Sequence, residues 1–212
     1  MEKKAIIFDL DGVIISTDEL HFLAWKKIAD DEKIPFDKDD NDALRGVSRM
    51  DSLELILRKS KKVYSEEEKL ILANKKNDIY RRFLSKLTKN DLSRDTLNTL
   101  NKLKENGYLM AIGSSSKNTK YILYRIGLLD FFNAIVDGND ISHSKPNPEV
   151  FLKAAEKLKV NPEYTYVLED AVSGIEAAKN GGFIPIAIGP ASFSKDAKFI
   201  IKKFSDLNNI LK

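Results

Sequence analysis

Ala5-Ile6-Ile7-Phe8-Asp9-Leu10-Asp11-Gly12 is the stretch on which the fold turns. Four apolar residues stop abruptly at two carboxylates one residue apart, and a glycine follows. A short apolar run bounded by a turn signal reads as a fully buried strand. Open α/β sheets bind ligands at the carboxyl ends of their strands, so this strand would carry two acids to the working edge. Asp9 suits attack on a phosphorus atom. Asp11 suits proton transfer to the leaving oxygen and from the incoming hydroxyl. Asp-x-Asp-Gly is also ordinary turn chemistry, so the motif by itself leaves both open. An EF-hand calcium loop fits poorly. It needs further oxygen ligands and a closing Glu, and here Val13, Ile14 and Ile15 follow.

Outward from that strand the period becomes helical, from Ser16 to about Lys86. Ser16-Thr17-Asp18-Glu19 is a capping-box pattern ahead of Leu20, Leu23, Ala24 and Ile28. Ile34-Pro35-Phe36 marks a loop, and Leu53 to Leu57 a second helix. Ser65-Glu66-Glu67-Glu68 is another capping box, opening a long helix through Tyr80 and Leu84. From about Leu92 helices and strands alternate. Thr96 to Glu105 is amphipathic, and Asn106-Gly107 stops it. Strands are expected at Tyr108 to Ile112, Ala134 to Val136, Tyr164 to Leu168 and Phe183 to Ile188. Helices are expected at Thr119 to Ile126, Gly174 to Lys179 and from Asn147-Pro148 to about Leu158, with Asn147 as N-cap and Pro148 at the first helical position. Phe199-Ile200-Ile201 and a Leu207 to Leu211 helix end the chain. Alternation of this kind predicts an α/β fold with a parallel, doubly wound sheet.

The balance of Lys+Arg 35 against Asp+Glu 32, net +3, gives no argument for nucleic acid. Lys59-Ser60-Lys61-Lys62 is read as a solvated helix end. With no cysteine, disulfides and thiol chemistry are excluded. No apolar run approaches about 18 residues, and Met1-Glu2-Lys3-Lys4 leads straight into a strand, so no signal peptide or membrane span is expected. A cytoplasmic location is the default, and a monomer is expected because no exposed apolar stripe stands out.

The doubly wound arrangement brings the ends of distant segments to one crevice: Asp9 and Asp11, Ser114, Lys145, and Glu169-Asp170. A phosphoryl group repels a carboxylate nucleophile, so Asp9 needs a cation beside it, and one or two carboxylates with phosphate and water fit magnesium. Glu169-Asp170 is the natural partner, although the pair can equally be an N-cap for the next helix. Lys145, in Ser144-Lys145-Pro146-Asn147-Pro148, can offset charge as a point cation. Ser114, with backbone N–H groups at a helix start, can hold phosphate oxygens, and Ser115, Ser116, Lys117 and Asn118 add donors.

In this order, Asp9-x-Asp11, Ser114, Lys145 and Glu169-Asp170 resemble the four motifs of the haloacid dehalogenase superfamily of phosphotransferases, over the whole chain. The resemblance implies a Rossmann-like core, residues 1–15 and 92–212, and an inserted small α-helical cap domain, residues 16–91. Phe8 to Ile14, His21-Phe22, Ala24-Trp25, Leu44 to Arg49, Asp51 to Leu53, Lys75 to Asp78 and Ser116 to Asn118 are similar to the sugar phosphomutase branch of that superfamily.

For that branch the implied reaction interconverts β-D-glucose 1-phosphate and glucose 6-phosphate. The implied cofactors are Mg2+ and β-D-glucose 1,6-bisphosphate, and the partner is a small phosphorylated sugar. The alternative is a magnesium-dependent sugar-phosphate phosphatase on the same machinery. Carried over residue by residue, Asp9 becomes the aspartyl phosphate, and Asp11 is the acid/base with its backbone carbonyl toward magnesium. Glu169 and Asp170 complete the metal site, and Ser114 and Lys145 hold the transferring phosphate. Arg49 grips the far phosphate with help from Ser116, Lys117 and Asn118. His21 and Lys76 position Asp11 and the sugar, and Thr17 sits at the hinge. Trp25, Arg45, Gly46, Val47, Ser48, Ser52 and Ser115 contribute to the pocket. The chain departs from the pattern at Ser16, where an acid is common, and at Ala171, where a serine is usual. Arg45 replaces a lysine, and Ser115 replaces a small apolar residue.

Overall fold

The computed structural model describes residues 4–211. The opening apolar run is strand β1, Ala5–Phe8, buried throughout. It is the hub of a six-stranded sheet, all of whose pairings are parallel. The other strands are β2 (Leu109–Gly113), β3 (Ala134–Val136), β4 (Thr165–Glu169), β5 (Ile184–Ile188) and β6 (Phe199–Ile201), and the order is β3-β2-β1-β4-β5-β6. The short Phe199–Ile201 stretch is thus the sixth strand, paired to β5. Successive connections run one way from β1 to β3 and the other way from β4 to β6. The reversal lies between β1 and β4, which is where sheets of this kind open a ligand crevice.

Alternation along β1 divides two cores. Ile6 and Phe8 join Met110, Ile112, Leu168 and Leu100 on one face. Ala5 and Ile7 join Val167, Val150, Phe151 and Ala154 on the other. Helices α5 (Arg94–Glu105) and α6 (Thr119–Ile126) cover the first face, and α7 (Glu149–Leu158) and α8 (Val172–Asn180) the second. A short α9, Leu207–Ile210, closes against α5.

Between β1 and α5 stand four helices: α1 (Asp18–Asp31), α2 (Lys38–Asp42), α3 (Arg49–Leu57) and α4 (Glu66–Leu84). They enclose an apolar cluster of their own around Trp25, Ile28, Phe36, Leu53, Ile56 and Leu72. The lower ends of α1 and α4 carry Ala24, Tyr80 and Leu84 into the sheet's first core.

Local chemistry matches most of these ends. The Ser65 box forms with both reciprocal bonds, and Gly127 closes α6 in the left-handed conformation. The expected box at Ser16 does not form. Thr17 is the N-cap of α1 without a capping side-chain bond, because its hydroxyl is directed at Asp11. Asn147 and Pro148 are each displaced by one position. Pro148 is the cap residue of α7, while Asn147 Oδ1 accepts from Glu149 N at 3.0 Å. Strand β4 begins and ends one residue later than expected, so Glu169 belongs to the strand. That shift matters, because the β1–β4 register pairs Phe8 with Leu168 and so sets Asp9 level with Glu169 at the sheet tip.

Candidate active site

Asp9 follows the last residue of β1 and stays tied to β4 through its N–H, which donates to Leu168 O at 3.0 Å. Its carboxylate, that of Glu169 and that of Asp170 bring one oxygen each to within 4.8 Å of one another, and all three residues are buried. Lys145 lies on the cluster, its ammonium donating to Asp9 Oδ1 at 2.5 Å and also to Glu169 Oε1. Lys145 leaves the loop after β3 next to a cis Lys145–Pro146 bond, and its Nζ is 4.8 Å from the centre of the Phe151 ring. Ala171 N–H donates to Glu169 Oε2 at 3.0 Å, fixing that side chain.

Charge crowding dominates this tip. Burial raises the Asp9 carboxyl well above its ordinary range. Lys145 pulls it back, and Glu169, Asp11 and Asp170 push it further up. Burial, then Glu169 and Asp18, lift Asp170 to about 8, against Arg45 and Lys145. For Lys145 burial works to lower the ammonium, but Asp9 and Glu169 outweigh it and hold the cation charged. Three crowded hard oxygen donors are the ligand set that suits a magnesium ion with open positions for water and phosphate, and the divalent charge would relieve this repulsion. The residues therefore fit the ion the sequence implies. Asp11 is not in the carboxylate cluster, and its side chain turns to Thr17 instead.

Two glycines make the tight tip possible. Gly12 has φ +81, and a Cβ there would stand 2.0 Å from Asp170 Oδ2. A Cβ at Gly174 would stand 2.0 Å from Glu169 Cδ. Gly12→Ala is therefore expected to cost about 1 kcal/mol or more from backbone conformation alone, a drop of a few degrees in Tm. It should also weaken magnesium binding by displacing Asp170. Thermal melts with and without magnesium check both effects.

Above the tip, a cavity of about 410 Å³ runs from Asp9 to the inner face of the helical insert. Every sequence-predicted site residue lines it except Thr17, which lies behind Asp11. Burial raises Asp11 to about 6, with the Thr17 bond opposing. A carboxyl poised there serves as acid and as base near neutral pH.

Core and insert meet around the cavity. Ser114 Oγ accepts from Ser116 N, and Ser116 Oγ accepts from Asn118 N, each at 3.2 Å. These two bonds fold the loop after β2 into a nest of donors. Asn118 reaches the insert, donating to Asn77 at 3.0 Å and accepting from Arg81 at 3.4 Å. Arg45, expected among the substrate contacts, lines the cavity and also makes ion pairs. Its guanidinium pairs with Asp18, with Asp42 at 3.2 Å and with Asp170 of the core at 3.4 Å. Gly46 lies directly against Ser173 of α8, and Ser48 caps α3. Arg49 differs from Arg45: it has no hydrogen bond or ion pair among the described residues, and burial lowers its guanidinium from the ordinary value. Lys117 likewise has no ion-pair partner there. Two unpaired cations facing a cavity favour an anionic ligand.

Deeper in the insert, Lys76 is 2 % exposed and has no ion pair among the described residues. Its Nζ contacts His21 Nδ1 at 2.9 Å and lies 4.7 Å from the Trp25 ring and 4.5 Å from the Tyr80 ring. Burial, then Arg49, lowers it to about 7. Burial, then Lys76, also lowers His21, which is therefore neutral. The folded chain gives up the Lys76 proton near pH 7, whereas an unfolded lysine keeps it to about 10.4. Apo stability from this group therefore rises with pH between those values. An anionic ligand beside Lys76 would restore the charge. Lys76 is then expected to contribute close to one proton taken up on binding at pH 8 and almost none at pH 6. Calorimetry in buffers of different ionisation enthalpy checks this as the difference between wild type and Lys76→Met, which should lose that one-proton share at pH 8.

Sequence reasoning missed Asp18, Asn74 and Tyr80 as members of the site. Asp18 was absorbed by a capping pattern, and Tyr80 by helical periodicity. Only Tyr80's position at one turn from Lys76 was a usable signal.

The haloacid dehalogenase-like hydrolase family model matches residues 6–188. A β-phosphoglucomutase of Bacillus subtilis is 42% identical over 206 residues, covering 96% of this chain and 91% of that protein. A phosphorylated carbohydrates phosphatase of Thermotoga maritima is 32% identical over 183 residues, covering 84% and 82%. Among solved structures, a β-phosphoglucomutase of Clostridium difficile superposes with a TM-score of 0.90 at 36% identity, over 97% of this chain and 93% of that one.

Proposed function

Because the chain belongs to the haloacid dehalogenase-like hydrolase family, we propose that it is a sugar phosphomutase of that family, interconverting β-D-glucose 1-phosphate and glucose 6-phosphate. The similarity to β-phosphoglucomutases over nearly the whole chain, insert included, supports this. The observation that carries it is Arg49, a cation of the insert that has no hydrogen bond or ion pair among the described residues and lines the same cavity as Lys145. A mutase must hold a second phosphate there, and a simple phosphatase need not.

In the proposed cycle Asp9, Glu169, Asp170 and the Asp11 main chain would hold magnesium, which would offset the charge of the Asp9 carboxylate and of the phosphate. Phosphorylated Asp9 passes its phosphoryl group to the C6 oxygen of β-D-glucose 1-phosphate. The P–O bond to Asp9 breaks, and Asp11 takes the hydroxyl proton. The resulting β-D-glucose 1,6-bisphosphate turns around in the cavity. Asp9 then attacks the C1 phosphorus, and Asp11 returns the proton to the departing C1 oxygen. Glucose 6-phosphate leaves, and Asp9 is phosphorylated again. Ser114 and Lys145 hold the moving phosphoryl group, while Arg49 with Ser116, Lys117 and Asn118 holds the other. Residues 16–91 act as a cap that shuts water out of the acyl phosphate. Through Arg45 and Asp170 the closed cap reaches the metal site.

Incubation with magnesium, β-glucose 1-phosphate and a trace of the 1,6-bisphosphate tests the reading. Glucose 6-phosphate should appear at the rate of substrate loss. Phosphate appearing at that rate instead would contradict it and favour the phosphatase, which the Thermotoga maritima relative supports.

A further inference from the structure

Glu149 opens α7, and its side chain is 18% exposed. It does not line the cavity but turns back onto the loop 137–148, which carries Lys145. Ser142 N–H donates to Glu149 Oε1 at 3.1 Å and to Oε2 at 3.0 Å, and His143 N–H donates to Oε2 at 2.8 Å. One helical turn on, Lys153 donates to Glu149 Oε1 at 2.6 Å and to the Asp140 carbonyl at 2.7 Å. Lys153 first, and then the two N–H groups, hold the Glu149 carboxyl down at about 2. It is therefore an ionised acceptor at neutral pH, and such bonds are stronger than neutral ones. Only Ser144 separates this anchor from Lys145, and the Ser144 carbonyl accepts from Asn147 N–H at 3.0 Å. The first turn of α7 also supplies Phe151, fully buried, whose ring centre is 4.8 Å from Lys145 Nζ. The helix thus supports Lys145 at both ends, its backbone through Glu149 and its ammonium over Phe151. A lysine has a flexible four-carbon stem, and this one meets Asp9 and Glu169 together, so its backbone has to be held.

We propose that Glu149 is a positioning residue: its carboxylate fixes the backbone at Ser142 and His143, and so sets the Lys145 ammonium between Asp9 and Glu169. The proposal rests on the role of Lys145 in holding the moving phosphoryl group. It predicts that loss of the carboxylate frees Lys145 in particular, and that every phosphoryl transfer at Asp9 suffers alike.

Amine labelling tests the first part without relying on turnover. The whole protein is treated briefly with acetic anhydride, and acetylation is read at each lysine by peptide mass analysis. Lys145, its side chain 1% exposed, should label slowly in the wild type. Glu149→Ala is expected to speed its labelling about tenfold, the scale of a lost hydrogen bond to a charged group. Labelling of Lys76, which is equally hidden, should not change. Glu149→Gln keeps an oxygen for the two N–H groups and should recover most of the protection. Turnover of β-glucose 1-phosphate and of a small acyl phosphate should fall together in Glu149→Ala, by about tenfold, and return to within about threefold in Glu149→Gln. Unchanged labelling of Lys145 in Glu149→Ala overturns the proposal. An equal rise at Lys76, which marks general loosening, also overturns it, as does faster labelling of Lys145 with both rates unchanged. Glu149→Ser, a residue that suits helix starts, replaces Glu149→Ala should the latter not fold. A wild-type protein that releases phosphate in place of glucose 6-phosphate contradicts the mutase reading alone, and labelling with the acyl phosphate rate then decides the proposal. A wild-type protein that turns over neither substrate overturns both.

Discussion

Asp9→Asn is expected to abolish turnover, by about four orders of magnitude or more, as loss of a covalent nucleophile does. An amide has nearly the shape of the carboxylate but does not displace an alkoxide at phosphorus. The substitution also removes one of three acids crowded at the sheet tip, where burial and neighbouring charge hold the Asp9 carboxyl up. Lys145 keeps Glu169 as a partner. The fold is therefore expected to survive, with Tm within a few degrees, and the loss is chemical. Steady-state rates with β-glucose 1-phosphate, alongside a melting curve, check both parts. Residual activity above about one per cent would place the nucleophile elsewhere.

Arg49→Ala is expected to lower isomerisation about a hundredfold while reducing hydrolysis of a small acyl phosphate less than threefold. The hundredfold figure follows from charge-assisted hydrogen bonds to a phosphate, worth about 1.5–3 kcal/mol. The asymmetry follows from position. Arg49 starts α3 in the insert, whereas in the proposed cycle a small acyl phosphate would need only the core groups Asp9, Ser114 and Lys145. Since Arg49 has no ion pair among the described residues and is partly buried, its removal should not lower Tm. An unpaired cation in that setting costs the fold rather than supporting it. Equal losses on the two substrates would show that Arg49 does not hold the distal phosphate.

How much of this was legible in the sequence depended on the range of the interaction. β1 could be read because four apolar residues followed by two acids leave few alternatives, and the sheet order then carried Ser114, Lys145 and Glu169 to the same edge. The Ser65 box could be read because both of its bonds span three residues. Ser16-Thr17-Asp18-Glu19 has the same local signature, yet its threonine answers to Asp11 and Tyr80, contacts that no capping pattern contains. The one-residue shift of β4 was set by pairing with β1, not by local propensity. Arg45 and Asp170 are 125 positions apart, so nothing short of the folded chain reveals that Arg45, besides lining the cavity, bridges the insert and the buried carboxylate cluster. Lys76 is similar. Its position on a helix was plain, but its depressed pKa comes from burial between Trp25 and Tyr80, which depends on how α1 and α4 pack.

The covalent step is tested most directly by trapping it. The wild-type protein is mixed with magnesium and β-glucose 1,6-bisphosphate, quenched in acid and reduced with borohydride, which converts an aspartyl phosphate to homoserine. Peptide mass analysis should find homoserine at position 9 and at no other aspartate, and none without the bisphosphate. Homoserine at Asp11 or another aspartate, or none at all under turnover, would contradict the account.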